Sequence, residues 1–182
     1  MDRRGVITLF GGSAVEEGET EWDEAYQLGR VIAMAGFTLC NGGFGGTMEA
    51  SSRGAKEAGG KTIGVITSFL DAEEPNPWVD EVIHVGTYLE RIQRLIELGD
   101  GFIVLRGSVG TFSEFFLLWC LEYIGKVPHK PIVLLGEAWR EVIRTIEGQM
   151  QLTPSHLDLI SFAGSPKEAV EIIVENLEEG SR

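Results

Sequence analysis

Short apolar runs alternate with amphipathic segments along most of the chain. Apolar runs of four to six residues, bounded by turn residues, are typical of strands buried on both faces of a sheet. Such runs are found at residues 6–10, 37–40, 62–66, 82–85, 101–105, 131–135 and 159–162. Most of the intervening segments repeat apolar residues at three- and four-residue steps, which predicts helices. The alternation predicts an α/β fold, with a doubly wound, mainly parallel sheet covered by helices on both faces.

Two stretches are predicted to lack regular structure. Residues 149–158 carry no apolar repeat, and residues 67–79 contain two prolines and several acids. A loop as long as the second one is either a lid over a ligand site or a solvated connection. Its length alone does not distinguish the two. We expect residues 1–182 to form a single domain, since no linker or repeat divides them.

Glycine-containing turns follow three of the predicted strands, at residues 11–13, 42–46 and 107–110. In a parallel sheet these turns lie at one edge, and ligands bind there where the strand order reverses. The third turn precedes a helix that we expect Thr111 to open, and free N–H groups at a helix N-terminus bind anions. Ser13 and Ser108 lie outside the GxSxG spacing of a nucleophilic serine. A phosphate site is therefore favoured over nucleophilic catalysis.

Two charged residues are predicted to converge on the third turn. Glu114 lies one turn into the helix that follows it, and Arg91 lies on the helix before the central strand. Each has a second interpretation. Thr111 and Glu114 have the spacing of a capping box, in which the glutamate only caps the helix. Arg91 is also compatible with a surface position on its helix.

Composition narrows the possible partners. A net charge of −13 argues against nucleic acid or an anionic membrane as the partner. No apolar stretch is long enough to span a bilayer, and we expect Cys40 and Cys120 to be reduced core residues of a cytoplasmic protein. The acidic run at residues 16–21 predicts a solvated loop without a chemical role.

Several common cofactor motifs are missing from the sequence. The three histidines lack ligand spacing and no Cys/His cluster occurs, so no metal site is predicted. The turn at residues 42–46 lacks the GxGxxG spacing of a dinucleotide site, and no GxxxxGK[ST] motif is present.

The segment from Gly107 to Glu114, GSVGTFSE, resembles the PGGxGTxxE motif of the LOG family. These proteins are cytokinin-activating nucleoside 5′-monophosphate phosphoribohydrolases, and many relatives carry the label "possible lysine decarboxylase". Residues 10–13 resemble the family's opening strand and turn, and residues 41–49 its second glycine turn. Arg91 falls on the arginine of the family's MxxRK segment. The resemblance covers roughly residues 5–148.

The resemblance implies a Rossmann-like domain, usually a homodimer or higher homo-oligomer, that acts without a cofactor. It would hydrolyse the N-glycosidic bond of a purine nucleotide, AMP or a cytokinin-type nucleotide, to free base and ribose 5-phosphate. Glu114 would stabilise the cationic sugar or orient water, and Arg91 would orient Glu114 or the substrate. The implied phosphate- and nucleotide-binding residues are Gly11, Gly12, Ser13, Gly42, Gly43, Gly45, Gly46, Thr47, Arg106, Gly107, Ser108, Val109, Gly110 and Thr111.

The chain departs from the family motifs at four positions. Arg106 and Ser108 replace the proline and the second glycine of PGGxGTxxE, and Tyr88 and Ile92 replace the methionine and lysine of MxxRK. Arg106 adds a cation at the mouth of the site, which favours a more highly charged ligand.

Two other functions therefore stay open. One is a non-catalytic nucleotide or molybdenum-cofactor carrier, because such carriers are similar in fold and glycine motifs. The other is a nucleotide-sensing regulatory subunit. No lysine is identifiable as a Schiff-base residue, which argues against a decarboxylase.

The helix after the third turn predicts an additional contact surface. Residues 115–121 form an uninterrupted apolar run, FFLLWCL. A helix that is apolar on nearly every side is buried by the sheet and by a second surface. That second surface is either a neighbouring helix or a partner subunit.

Overall fold

The computed structural model describes residues 4–68 and 74–180, which contain seven strands and seven helices. The strands are β1 (Val6–Phe10), β2 (Thr38–Asn41), β3 (Thr62–Thr67), β4 (Glu81–Val85), β5 (Gly101–Val104), β6 (Ile132–Leu135) and β7 (Ile160–Ala163). The helices are α1 (Thr20–Met34), α2 (Thr47–Glu57), α3 (Tyr88–Leu98), α4 (Val109–Tyr123), α5 (Glu137–Gln149), α6 (Pro154–Leu157) and α7 (Pro166–Glu179).

All seven strands pair in parallel in one sheet, in the order β4-β3-β2-β1-β5-β6-β7. In the central strand, Thr8 pairs with Cys40 of β2 on one side and with Phe102 of β5 on the other. The chain builds outward from β1 in one direction and then, from β5, in the other. This confirms the predicted doubly wound parallel fold and places the reversal of strand order between β1 and β5.

Helices bury both faces of the sheet. Leu28 and Ile32 of α1 and Ile173 of α7 belong to the core on one face. Ile92 of α3 and Phe115 of α4 belong to the core on the other face. All five side chains are fully buried. The core thus fixes α3 and α4, the two helices that carry the charged residues of interest, against the same face of the sheet.

The second glycine turn is held in place by an unusually close helix pair. A Cβ at Gly29 of α1 would overlap the carbonyl oxygen of Ser51, and one at Gly54 of α2 would overlap that of Tyr26. Glycine at both positions therefore lets α2 pack tightly on α1. The turn that leads into α2 is positioned by this contact.

The structure corrects two predicted elements. Helix α4 begins at Val109 with Ser108 as its N-cap residue, two residues before Thr111. Within the stretch predicted to be irregular, residues 154–157 form the short helix α6, which is capped by Thr153 and His156. Pro154 at its first position explains why so short a segment is helical.

Three further predictions have mixed outcomes. Cys40 is buried as expected, but Cys120 is exposed on α4, so its prediction as a core residue is wrong. Residues 69–73 of the predicted long loop, the possible lid, lie outside the described residues. In the described part of the chain, no helix combines the length and the apolar character needed to cross a membrane.

Candidate functional site

The three glycine turns meet at the carboxyl edge of the sheet. The backbone N–H and the hydroxyl of Thr47 both donate to the carbonyl oxygen of Gly12, at 2.9 and 3.0 Å, which joins the second turn to the first. A Cβ on Gly12 would lie 3.4 Å from the Cα of Gly107, which places the first turn against the third. The turns therefore surround the point where the strand order reverses, where ligands bind in such folds.

Two of these glycines have no room for a side chain. A Cβ at Gly107 would overlap the hydroxyl of Thr111. Gly46 has a φ of +66°, and a Cβ there would overlap the carbonyl oxygen of Gly12. Bare backbone at these positions lets the turns pack together and leaves their N–H groups accessible to a ligand.

The N-terminus of α4 has the features of an anion site. The first N–H groups of a helix lack intrahelical acceptors and carry a partial positive charge. Thr111, in the first turn, is 2% exposed, and its hydroxyl oxygen is buried without a hydrogen-bond partner. A buried hydroxyl without a partner lowers the stability of the fold unless a ligand forms the missing hydrogen bond. Gly12, Ser13, Gly107 and Ser108 line a cavity of about 310 Å³ at this edge.

Arg91 lies at the centre of a buried network next to the glycine turns. It is 4% exposed, and its Nη1 is 3.2 Å from Oε1 of Glu114. Its Nε donates to the carbonyl of Val65 at 2.8 Å, and its Nη2 donates to the carbonyl of Gly42 at 3.1 Å. Arg91 thus links β3, the second glycine turn and α4. The interpretation of Arg91 as a surface residue is wrong.

Glu114 directs its carboxylate to Arg91. Because α4 begins at Val109, the capping-box interpretation of Thr111 and Glu114 is wrong. Burial raises the pKa of Glu114 to about 7, and the charge of Arg91 opposes that rise. A carboxyl group with a pKa near neutrality can exchange a proton or stabilise a cation at physiological pH.

Two contributors to this site were not predicted. Tyr88 lies one turn before Arg91 on α3, and its hydroxyl would be 3.6 Å from a Cβ placed on Gly110. Burial, and then the charge of Glu114, raise the pKa of Tyr88. The side-chain amide of Asn76 donates to the carbonyls of Gly43 and Phe44, at 3.1 and 2.9 Å. The three-residue spacing from Arg91 is a sequence signal for Tyr88, whereas Asn76 has none.

The acidic run has a structural role that its composition did not indicate. Oε1 of Glu21 is 2.8 Å from Nη1 of Arg106, and both residues line the 310 Å³ cavity together with Glu19. The predicted solvated loop is confirmed for residues 16–19, which are exposed and lie outside any helix, whereas for Glu21, in the first turn of α1, the prediction is wrong. Arg106 is paired at the mouth, and is not the free cation that the sequence suggested.

The remaining predicted residues surround the same edge. A Cβ on Gly11 would overlap the hydroxyl of Thr47, and one on Gly45 would lie 3.9 Å from the carbonyl of Ser13. Val109 is 80% exposed and is the first residue of α4, where a backbone N–H has no intrahelical acceptor. Within residues 4–68 and 74–180, no three His, Cys, Asp or Glu side chains are grouped as a metal ion would require.

Comparison with known proteins places this chain in a family. The profile of the SLOG cluster4 family matches residues 4–161. The cytokinin riboside 5′-monophosphate phosphoribohydrolase of Mycobacterium tuberculosis is 40% identical over 113 residues, which are 61% of this chain and 60% of that protein. The protein of the same name from Rhodococcoides fascians is 34% identical over 146 residues, 78% of this chain and 73% of that protein.

A solved structure matches over nearly its full length. The molybdenum cofactor binding protein from Rippkaea orientalis superposes with a TM-score of 0.76 at 28% identity, and the match covers 97% of this chain and 99% of that chain. Profile and sequence relatives agree on the family, and the solved structure agrees on the fold. The chain belongs to the SLOG cluster4 family and is related to the LOG phosphoribohydrolases.

Proposed function

We propose that the chain is a LOG-type phosphoribohydrolase that converts an AMP-like purine nucleoside 5′-monophosphate to free base and ribose 5-phosphate. The observation that carries the proposal is the buried Arg91–Glu114 pair, which lies beside three converging glycine turns. The names of the two phosphoribohydrolase relatives support the same chemistry.

The 5′-phosphate is assigned to the N-terminus of α4. A phosphate there accepts hydrogen bonds from free N–H groups and interacts favourably with the helix dipole. The buried hydroxyl of Thr111 supplies a further donor, which has no other partner in the described structure. Glycine at position 107 leaves space beside that hydroxyl, because a Cβ there would overlap its oxygen.

Glu114 and Arg91 are assigned to the glycosidic bond. As the bond between the base nitrogen and C1′ breaks, positive charge develops on the ribose, and a carboxylate stabilises it. Water then forms the new C1′–O bond, and Glu114 accepts the proton that the water loses. The base nitrogen leaves with the electron pair of the broken bond and takes up a proton. Arg91, held by the carbonyls of Val65 and Gly42, keeps the carboxylate of Glu114 in one orientation.

The proposal is tested by incubating the purified protein with AMP and separating the products by chromatography. We expect adenine and ribose 5-phosphate in equal amounts. Absence of both products, with AMP still raising the melting temperature, would contradict the hydrolase and show that the site binds without cleaving.

A carrier of the molybdenum cofactor is the second candidate. The solved molybdenum cofactor binding protein from Rippkaea orientalis is 28% identical to this chain and is matched over 99% of its length. Arg106, which replaces the proline of the LOG motif, points the same way. We would incubate the protein with isolated molybdenum cofactor, separate it by gel filtration and measure pterin fluorescence in the protein fraction. Pterin that co-elutes, without base release from AMP, supports the carrier.

Replacing Thr111 with Val is expected to separate phosphate binding from stability. Valine keeps the shape and removes an unpaired buried hydroxyl, so the free energy of unfolding should stay level or rise by about 1 kcal/mol. Affinity for AMP, measured by thermal shift, should fall roughly tenfold or more through loss of a charge-assisted hydrogen bond. The matched control is Thr47→Val, which should destabilise, because that hydroxyl bonds Gly12. Unchanged AMP affinity in Thr111→Val would contradict the phosphate assignment.

We also propose a homodimer formed through the outer face of α4. Tyr123 and Ile124, at its end, are 47% and 51% exposed, and Cys120 is exposed as well. Trp119 and Cys120 line an adjoining cavity of about 230 Å³ with apolar walls. Exposed apolar surface of this kind is typical of subunit contacts.

Gel filtration with light scattering tests the dimer, since one chain has a mass of 19.9 kDa. We expect twice that mass at micromolar concentration, and the monomer mass for Ile124→Glu. Met34→Glu is the matched control, because Met34 is 74% exposed on α1, on the opposite face of the sheet. A monomeric wild type would contradict the proposal.

A further inference from the structure

An ion pair closes the outer side of the phosphate cavity. Arg106 follows β5, and its Nη1 is 2.8 Å from Oε1 of Glu21 in the first turn of α1. The side chain of Arg106 is 63% exposed and that of Glu21 is 30% exposed. Both line the cavity that Gly12, Gly107 and Ser108 also line. A ligand extending outward from the glycine turns therefore meets this pair.

The ion pair of Arg106 with Glu21 changes which ligands the outer side of the cavity binds. A free arginine next to a phosphate site is a good partner for a second phosphate, because its guanidinium donates two parallel hydrogen bonds. Glu21 already occupies Nη1 of Arg106 and neutralises its charge. Glu19 lines the same cavity, and its Oε2 accepts the backbone N–H of Glu16 at 3.0 Å. Burial, and then the charge of Glu21, raise the pKa of the neighbouring Glu24, which locates a third acid nearby.

We infer that Glu21, through its ion pair with Arg106, restricts the cavity to ligands that end in a single phosphate group. A monoester places its only phosphate at the N-terminus of α4 and leaves the pair intact. A diphosphate places its outer phosphate beside Glu19 and Glu21, where like charges repel it. The inference rests on the proposed function, because it requires that the glycine turns hold the phosphate.

Glu21→Gln tests the inference, since it removes the charge and leaves the shape of the side chain. The readout is the affinity for AMP and for ADP from thermal-shift titrations, repeated with orthophosphate and pyrophosphate, which contain no glycosidic bond. We expect Glu21→Gln to bind ADP and pyrophosphate roughly tenfold or more tightly than wild type, because the repulsion is removed and the positive charge of Arg106 is no longer neutralised. Affinity for AMP and orthophosphate should change less than about twofold.

Two further variants identify the cause of the effect. Glu19→Gln removes one charge from the same wall and leaves the ion pair of Arg106 with Glu21 in place, so it should tighten ADP and pyrophosphate by a clearly smaller factor than Glu21→Gln does. Arg106→Gln, added to Glu21→Gln, should abolish the gain for ADP and pyrophosphate. The inference is overturned if Glu21→Gln tightens mono- and diphosphates equally, if it tightens neither, or if Glu19→Gln reproduces its effect.

The outcome is separable from that of the proposed function. Discrimination between one and two phosphates is measured by binding, and base release is measured by product formation. Selective tightening in Glu21→Gln without base release from AMP would refute the hydrolase and support the inference. Base release from AMP without selective tightening in Glu21→Gln would support the hydrolase and refute the inference.

Discussion

Replacing Glu114 with Gln is expected to slow base release from AMP by about 10²- to 10⁴-fold, the usual contribution of a positioned acid or base. The amide has the size of the carboxyl group and still offers Arg91 an oxygen acceptor at the position of Oε1. The variant loses the negative charge that would face the developing cation and the group that would accept a proton from water. The turnover rate, measured by chromatography of the released base, is the test.

The matched control is Glu122→Gln on the same helix. Glu122 is also 7% exposed, and burial raises its pKa to about 6, but its carboxylate faces His129 and the backbone N–H of Lys130. We expect this variant to retain wild-type turnover. Both variants should bind AMP and unfold as single transitions. Equal turnover in Glu114→Gln and wild type would remove Glu114 from the chemistry.

The pH dependence provides an independent part of the same test. With a pKa of about 7, Glu114 gains its working negative charge as pH rises through neutrality, so the turnover rate should rise across that range. The same raised pKa makes the folded state bind a proton that the unfolded state releases between pH 4.5 and 7. The contribution of Glu114 to the free energy of unfolding is fully present below pH 4.5 and is lost as pH rises to about 7. Glu114→Gln should show neither dependence.

The sheet was predictable because its signal is local. Each buried strand is an apolar run, and the alternation of strands with helices determines a parallel arrangement. The start of α4 was not predictable, because Val109 and Gly110 have low intrinsic helix propensity and the glycine suggested a turn. They are helical here because Ser108 accepts the N–H of Phe112 and the helix packs onto the sheet.

The candidate site was predictable in its parts and not in its assembly. Parallel strands bring the three glycine turns to one edge, but only the strand order makes them neighbours. The Arg91–Glu114 pair was predictable from motif spacing, since each residue flanks β5. The Glu21–Arg106 pair joins residues 85 positions apart in sequence, and it depends on how α1 lies over the sheet. No local pattern carries that information, so an acidic run at this position suggests only a solvated loop.

Replacing Arg91 with Ala is expected to lower the free energy of unfolding by about 3–5 kcal/mol, because a buried carboxylate loses its partner. The carbonyls of Val65 and Gly42 lose their donors at the same time. For a chain of this size that is a fall of roughly 10 °C in melting temperature, measured by thermal and urea unfolding. The matched control is Arg94→Ala on the same helix, which should cost less than about 1 kcal/mol, because its pair with Glu97 is exposed.

The double variant Arg91→Met with Glu114→Leu separates the structural role of the pair from its chemical role. Apolar side chains of similar volume avoid the cost of burying two charges, so stability should recover most of what Arg91→Ala loses. Base release should not recover, because no group is left to stabilise the cation or accept the proton. A stable double variant without activity would mean that the pair is placed there for chemistry, at a cost in folding free energy. If Arg91→Ala were as stable as Arg94→Ala, the pair would not be buried in solution, and the site geometry argued from it would fail.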